Sequence, residues 1–255
     1  MEMAPRRRNF LQAFGSAGLL AGLLGSGLLR PGRALAVDFN RTAFDARSAA
    51  DALRLIGAAG AEISADILLK TPEIAENGAA VPIEVISNIP GTTRLSVLVD
   101  KNPFPLALQF NFAPPAVARF QAKLKMGESS RLRIVASVGG KHYTVFREVK
   151  VTAGGCGWAT QENPMSDPIK IRATVKGSDG EVRVLLPHPM ESGQRRDAGG
   201  QVVPAHFITS LTLSINGRPV IEGGLGTAVS ANPLFGFQFA GVKAGDKVAI
   251  AWLDN

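Results

Sequence analysis

One cysteine, Cys156, occurs in the 255 residues, and it stands in the run Gly154-Gly155-Cys156-Gly157-Trp158. No second thiol exists in the chain to pair with it. Glycines on both sides strip side-chain bulk from around the sulfur and let another protein surface come close to the backbone. An ordinary thiol titrates near pH 8.5, so about a few per cent is thiolate at neutrality, yet that fraction is strongly nucleophilic. A sulfur so placed can hold a group covalently and pass it on without releasing it to solvent. The plainer reading is a buried cysteine acting as a small hydrophobe. The glycine flanks and the missing partner count against it.

Little else in the chain offers chemistry. His142, His188 and His206 lack metal-ligand spacing with one another or with Cys156. His142 falls in a strand pattern and reads as structural. No general base is paired with the cysteine, and no phosphate loop or c-type haem motif is present, so no catalytic residue, metal or cofactor is expected. Arg195-Arg196-Asp197 reads as a solvated turn. Lys141, Arg147 and Lys150 precede the cysteine and would steer an anionic group carried on it, although solvation of a strand face explains them equally well. Phe235, Phe237 and Phe239 alternate as a core stripe.

The N-terminus reads as a targeting segment. Arg6-Arg7-Arg8 comes before Asn9-Phe10-Leu11, a glycine-rich apolar run extends from Ala13 to Leu29, and Ala34-Leu35-Ala36 supplies the small residues of a cleavage site. The pattern matches a twin-arginine export signal. A membrane anchor is the alternative, but the glycines and the cleavage site argue against it. A mature chain beginning near Val37, in the periplasm, is expected. Residues 1–36 hold five arginines and one glutamate, so they supply +4 of the formal +7. The remaining +3, without a basic run interleaved with aromatics, gives no footing for nucleic-acid binding. An oxidising compartment exposes a lone thiol to oxidation, and its retention there suggests use.

The elements that must position Cys156 are mostly strands. Residues 41–56 read as a helix, with capping-box spacing at Thr42 and Asp45. Beyond Pro72 the apolar period becomes two. Strands are predicted over 82–89, 94–99, 106–112, 132–138 and 142–151, with turns at Pro90-Gly91 and Gly139-Gly140. The last of these hairpins leads into the cysteine, and from Val151 to Cys156 an extended chain spans at most about 17 Å. The second half alternates at 169–175, 182–186, 211–215, 235–239 and 248–252, with the hairpin signal Asn216-Gly217. The fold class is all-β: two immunoglobulin-like antiparallel sandwiches after a short helical segment. Boundaries fall at 1–36 (signal), 37–158, 159–164 (polar linker) and 165–255.

These motifs, in this order, resemble the two subunits of the Sox sulfur-oxidation carrier joined in one chain. The first half is similar to SoxY through Thr71-Pro72-Glu73-Ile74-Ala75-Glu76-Asn77-Gly78, the Val81-Pro82 strand, Lys101-Asn102-Pro103 and the Gly-Gly-Cys-Gly run. The second is similar to SoxZ through Pro168-Ile169-Lys170-Ile171-Arg172 and His188-Pro189-Met190-Glu191-Ser192-Gly193-Gln194-Arg195-Arg196-Asp197. Asn232-Pro233 and the closing Trp252-x-Asp254-Asn255 add to it. The resemblance implies a non-enzymatic carrier that holds thiosulfate-derived sulfur on Cys156, with Gly154, Gly155 and Gly157 forming a swinging arm. It implies loading by a SoxAX-type c-type cytochrome, sulfate release by a SoxB-type hydrolase, and in some organisms oxidation of the remaining sulfur by a SoxCD-type sulfane dehydrogenase. Two features differ from the family pattern: Trp158 stands where a glycine is usual, and the arm is internal instead of terminal. A similar carrier serving another periplasmic oxidation system, a one-cysteine thiol redox enzyme and a purely structural binding module are the competing readings.

Overall fold

Period-two alternation becomes strand in both halves of the described chain, and two sheets pack face to face around a shared core. The computed structural model describes residues 7–12, 39–152, 168–197 and 199–255. The first half contributes β1 (Arg7–Gln12), α1 (Arg41–Phe44), α2 (Ala49–Leu55), β2 (Glu62–Ile63), β3 (Ile67–Lys70), β4 (Ile74–Ala75) and β5 (Val81–Ser87). It continues with β6 (Arg94–Val99), β7 (Leu106–Phe112), β8 (Ala116–Leu124), β9 (Ser130–Val138) and β10 (Lys141–Val151). The second half supplies β11 (Lys170–Lys176), β12 (Asp179–Leu185), β13 (Ile208–Ile215), β14 (Arg218–Leu225), β15 (Leu234–Ala240) and β16 (Val248–Asp254). Among the described residues no helix is long and apolar enough to cross a membrane.

The two halves are joined strand to strand. A ten-stranded sheet runs β1-β16-β13-β14-β7-β6-β9-β10-β2, with β4 also on β10, and a six-stranded sheet runs β11-β12-β15-β8-β5-β3. The halves therefore meet at β14–β7 in one sheet and at β15–β8 in the other, both antiparallel. The expected immunoglobulin-like sandwich layering is present, and across this seam the two halves share one apolar core. Phe110 of β7 is its hub, edge-on to Phe120 at 5.0 Å, Phe235 at 5.5 Å and Phe237 at 5.1 Å. Such tilted ring contacts add to the area that the rings bury. Phe235, Phe237 and Phe239 are all buried, as a core stripe should be. On the outer face Arg119 of β8 pairs with Glu84 of β5 and donates to Gln238 of β15 at 3.1 Å, tying the seam with polar bonds as well.

Three local readings differ from the structure. The single helix expected over 41–56 is two short helices, because Ser48 caps the second: its Oγ accepts from the Asp51 amide at 3.0 Å. Serine's preference for a cap over a helix interior breaks the run there, and the capping spacing at Thr42 and Asp45 is not used. Strands β2, β3, β4 and β8 were not anticipated, and β14 was implied only as the return of the Asn216-Gly217 hairpin. Residues 7–12, inside the segment read as an export signal, form an edge strand on β16.

Candidate functional site: the root of the cysteine arm

Cys156 and its neighbours Gly154, Gly155, Gly157 and Trp158 lie outside the described residues, as does the 159–164 linker. What the structure defines is the platform from which that segment departs. Strand β10 is held on both sides as it ends. On one side it pairs with β9; on the other, β4 runs parallel to it at Lys150↔Ile74 and Val151↔Ala75. The Lys150 amide donates to Glu73 O at 2.9 Å and the Thr152 amide to Ala75 O at 3.2 Å. The Val151 amide donates to Ser129 Oγ at 2.9 Å. Thr152, four residues before the cysteine, is thus still tied to the sheet.

The motif 71–78 is what builds this clamp. Glu73 and Ala75 supply the acceptor carbonyls, and Gly78 closes the motif where no side chain fits. A β-carbon there would lie 2.5 Å from Met126 O and 2.9 Å from Val151 Cγ1. Gly78 O instead accepts from the Met126 amide at 2.7 Å. Asn102, from the Lys101-Asn102-Pro103 motif, supports the same turn: its Nδ2 donates to Lys125 O at 2.8 Å and its Oδ1 accepts from the Gly127 amide at 3.3 Å. Two motifs that are distant in sequence therefore converge under the arm's root.

The second half reaches the same place. Ser230 Oγ donates to Ala79 O at 2.8 Å, and Lys125 Nζ donates to Met190 O inside the His188–Asp197 motif. Burial pushes the Lys125 ammonium down to about 8, with Glu191 opposing the shift. Met190 is fully buried in a left-handed turn (φ 47°), and its amide donates to His188 Nδ1 at 3.0 Å. Asn232, also left-handed (φ 48°), accepts from the His188 amide at 3.1 Å. The motif is an inter-half brace, fixed around Met190.

A cleft of about 310 Å³ opens on the outer face of the six-stranded sheet and crosses the seam. Its walls include Thr71, Pro72, Pro82 and Leu234, and its rim carries Lys70, Lys123 and Arg183. Thr71 and Pro72 join β3 to β4, so the cleft borders the arm's root. Glu84, in its wall, is pushed up by burial but held below the usual carboxylate range overall by hydrogen bonds from Arg119, Lys70 and Gln121. Of the basic residues before the arm, Lys141 and Lys150 are exposed and Arg147 is exposed beside them on β10.

One cluster escaped the reading of the sequence. His188 Nε2 and His206 Nε2 lie 3.7 and 3.6 Å from the same Asp254 Oδ2, and their rings are 4.6 Å apart. The residues are 18 and 48 positions apart in sequence order, so no local spacing signals them. As a cation site the trio is poorly matched. A histidine that binds metal through Nε2 normally donates a proton from Nδ1. Here His188 Nδ1 accepts from the Met190 amide, which leaves the ring proton of the neutral form on Nε2. The trio ties the loop bearing His188, the loop bearing His206 and the end of β16 together. His142 is structural in the same sense, with Nδ1 2.9 Å from Ser137 Oγ.

The architecture defines a class: a tandem of immunoglobulin-like halves sharing their sheets, with a clamped strand end leading into a lone thiol. The family comparisons place it further. Residues 53–156 match the model of "Sulfur oxidation protein SoxY", and residues 169–255 match that of "Sulphur oxidation protein SoxZ". The chain belongs to these two families, as a fused SoxY–SoxZ protein. Among solved structures it is similar to the sulfur carrier protein SoxY from Chlorobium limicola f thiosulfatophilum, at 36% identity over 43% of this chain and 96% of that one, with a TM-score of 0.39. No curated protein matches the chain.

Proposed function

We propose that this protein is a periplasmic carrier that holds sulfur intermediates as covalent adducts of Cys156 for a Sox sulfur-oxidation system. The observation that supports it most is the clamped end of β10. It is held to the sheet as far as Thr152, four residues before a glycine-flanked cysteine, and the SoxY family match runs to that cysteine. In the loading step the Cys156 sulfur bonds to the outer sulfur of thiosulfate, one proton leaves, and two electrons pass to a SoxAX-type c-type cytochrome. Water then attacks the terminal sulfonate with the help of a SoxB-type hydrolase. Sulfate and two protons are released, and a persulfide stays on Cys156. Where a SoxCD-type dehydrogenase is present, it oxidises that remaining sulfur. The carrier supplies no catalytic group; it presents the sulfur, and Gly154, Gly155 and Gly157 give the arm room to enter a partner's site. The basic rim of the cleft beside the arm's root suits an anionic adduct.

Intact-mass measurement of protein recovered from thiosulfate-grown cells tests this. Adducts of thiosulfonate or persulfide mass, lost in Cys156→Ser, are expected. A thiol that stays unmodified under every sulfur supply refutes the carrier role. A second reading, the same carriage for a different oxidation system, is favoured by Trp158. An arm tethered at both ends and carrying an indole must enter a partner as a hairpin, which asks for a wider entrance than a terminal glycine arm does.

A further inference from the structure

Strand edges are places where another chain can add, and folded proteins usually guard them with basic residues, proline, bulges or short length. Most free edges of this fold are guarded. β11 carries Lys170, Arg172 and Lys176; β3 has four residues, and β2 and β4 have two each. β16 differs. Its seven residues, Val248-Ala249-Ile250-Ala251-Trp252-Leu253-Asp254, include no basic residue and no proline. In the full-length chain this edge is occupied: β1 pairs with it antiparallel from Arg7↔Leu253 to Gln12↔Val248.

We infer that removal of the leader uncovers β16 and that a second copy of the chain adds there, strand to strand, around a two-fold axis. This rests on the reading of residues 1–36 as a removable export segment. Three observations point to a second copy as the occupant. The pairing made by β1 shows that the edge accepts an antiparallel neighbour over six residues. An antiparallel pair of identical strands is self-complementary and closes after one contact. The strand is also flanked by opposite charges, Lys247 at its start and Asp254 at its end. Antiparallel pairing sets each near its opposite on the other copy, whereas parallel pairing would set like against like. With residues 1–36 gone, the formal charge falls from +7 to +3, which lowers the repulsion between copies. Ala249, Ala251 and Leu253, half-buried on one face, would extend that face across the axis.

The test compares full-length protein with protein beginning at residue 37, by light scattering over a dilution series and by amide exchange. Among the described residues the buried core begins at Phe39, and the shorter form keeps all of that. The expected result is a monomer for the full-length chain and an apparent mass about twofold higher for the shorter form, falling on dilution. The β16 amides should be slow to exchange in the dimer. Ala251→Lys places a charge on the half-buried face of the edge without touching the core, and it should return the shorter form to monomer. A shorter form that stays monomeric at every concentration overturns the inference. So does a full-length chain that dimerises equally well, or a dimer unmoved by Ala251→Lys. Because the shorter form is made directly, failure here is separable from failure of leader removal in the cell, which N-terminal sequencing of exported protein reads.

Discussion

Gly78 packs so closely beneath Val151 that a single added carbon would come within 2.9 Å of the valine's Cγ1 and 2.5 Å of a carbonyl oxygen. The contact joins the end of the 71–78 motif to the last strand residue before the cysteine arm. Gly78→Ala should therefore cost about 1–3 kcal/mol, the usual penalty for overpacking. It should also loosen the arm's root selectively. Denaturant unfolding reads the first effect, and faster amide exchange at Val151 and Thr152 reads the second. A variant with unchanged stability and exchange would show that this contact does not hold the clamp.

Lys125 offers a pH signature. Its ammonium titrates near 8 in the folded chain against 10.5 when unfolded. Between those values the unfolded state binds more protons, so folding stability gains a contribution that rises with pH. Below about pH 8 the buried charge costs its full amount, and above 10.5 the cost is gone. Lys125→Met should flatten the stability difference across this window, as followed by urea unfolding at a series of pH values. A wild-type curve parallel to that of the variant between pH 8 and 10.5 would refute it.

At the acid end Glu84 acts in the opposite direction. Its folded value lies below the unfolded 4.5, so it contributes stability that is present above that pH and lost as the pH falls through the folded value. Glu84→Gln keeps an acceptor for Arg119 but removes the charge. The variant should be less stable than wild type at neutrality and should converge with it as the solution becomes strongly acidic.

Trp158 bears on partner access. Trp158→Gly removes the indole two residues after the proposed attachment site. Under the proposed carrier role, loading of Cys156 by a SoxAX-type cytochrome, followed as adduct mass against time, should speed up. An equal or slower rate would mean that the indole contributes to docking instead of obstructing it.

How much of this was legible in the sequence depends on what the side chains had to pack against. Strands whose alternating residues were large, such as 94–99 and 106–112, read directly. β8 was missed because Ala116, Ala118 and Ala122 carry its inward pattern too weakly. The extent of β14, implied only by the Asn216-Gly217 turn, was hidden for a related reason: Gly223 and Gly224 sit where Phe110 and Phe39 press in, within 2.5 and 2.7 Å of where a β-carbon would stand. That is tertiary crowding, and no local pattern announces it. The candidate site divides in the same way. The cysteine and its glycines are a local signal and were read from sequence. The clamp on the end of β10 depends on Gly78 meeting Val151 and on Asn102 meeting Lys125, contacts that no local pattern announces. The meeting of His188, His206 and Asp254 was equally silent, since their approach is set by three separate loop and strand ends.

The seam at β14–β7 and β15–β8 gives the peptide between the halves an unusual status. A joint made of two antiparallel ladders and a shared ring of phenylalanines is a subunit interface in everything but covalent continuity. Any covalent link between such halves raises their local concentration, and the two ladders and the shared core are what hold them together. A protease cut between Cys156 and Pro168 would then leave both ladders and the shared core whole while creating a new chain end after the cysteine. One backbone hydrolysis would convert a fused carrier into a two-chain one with its thiol near a terminus.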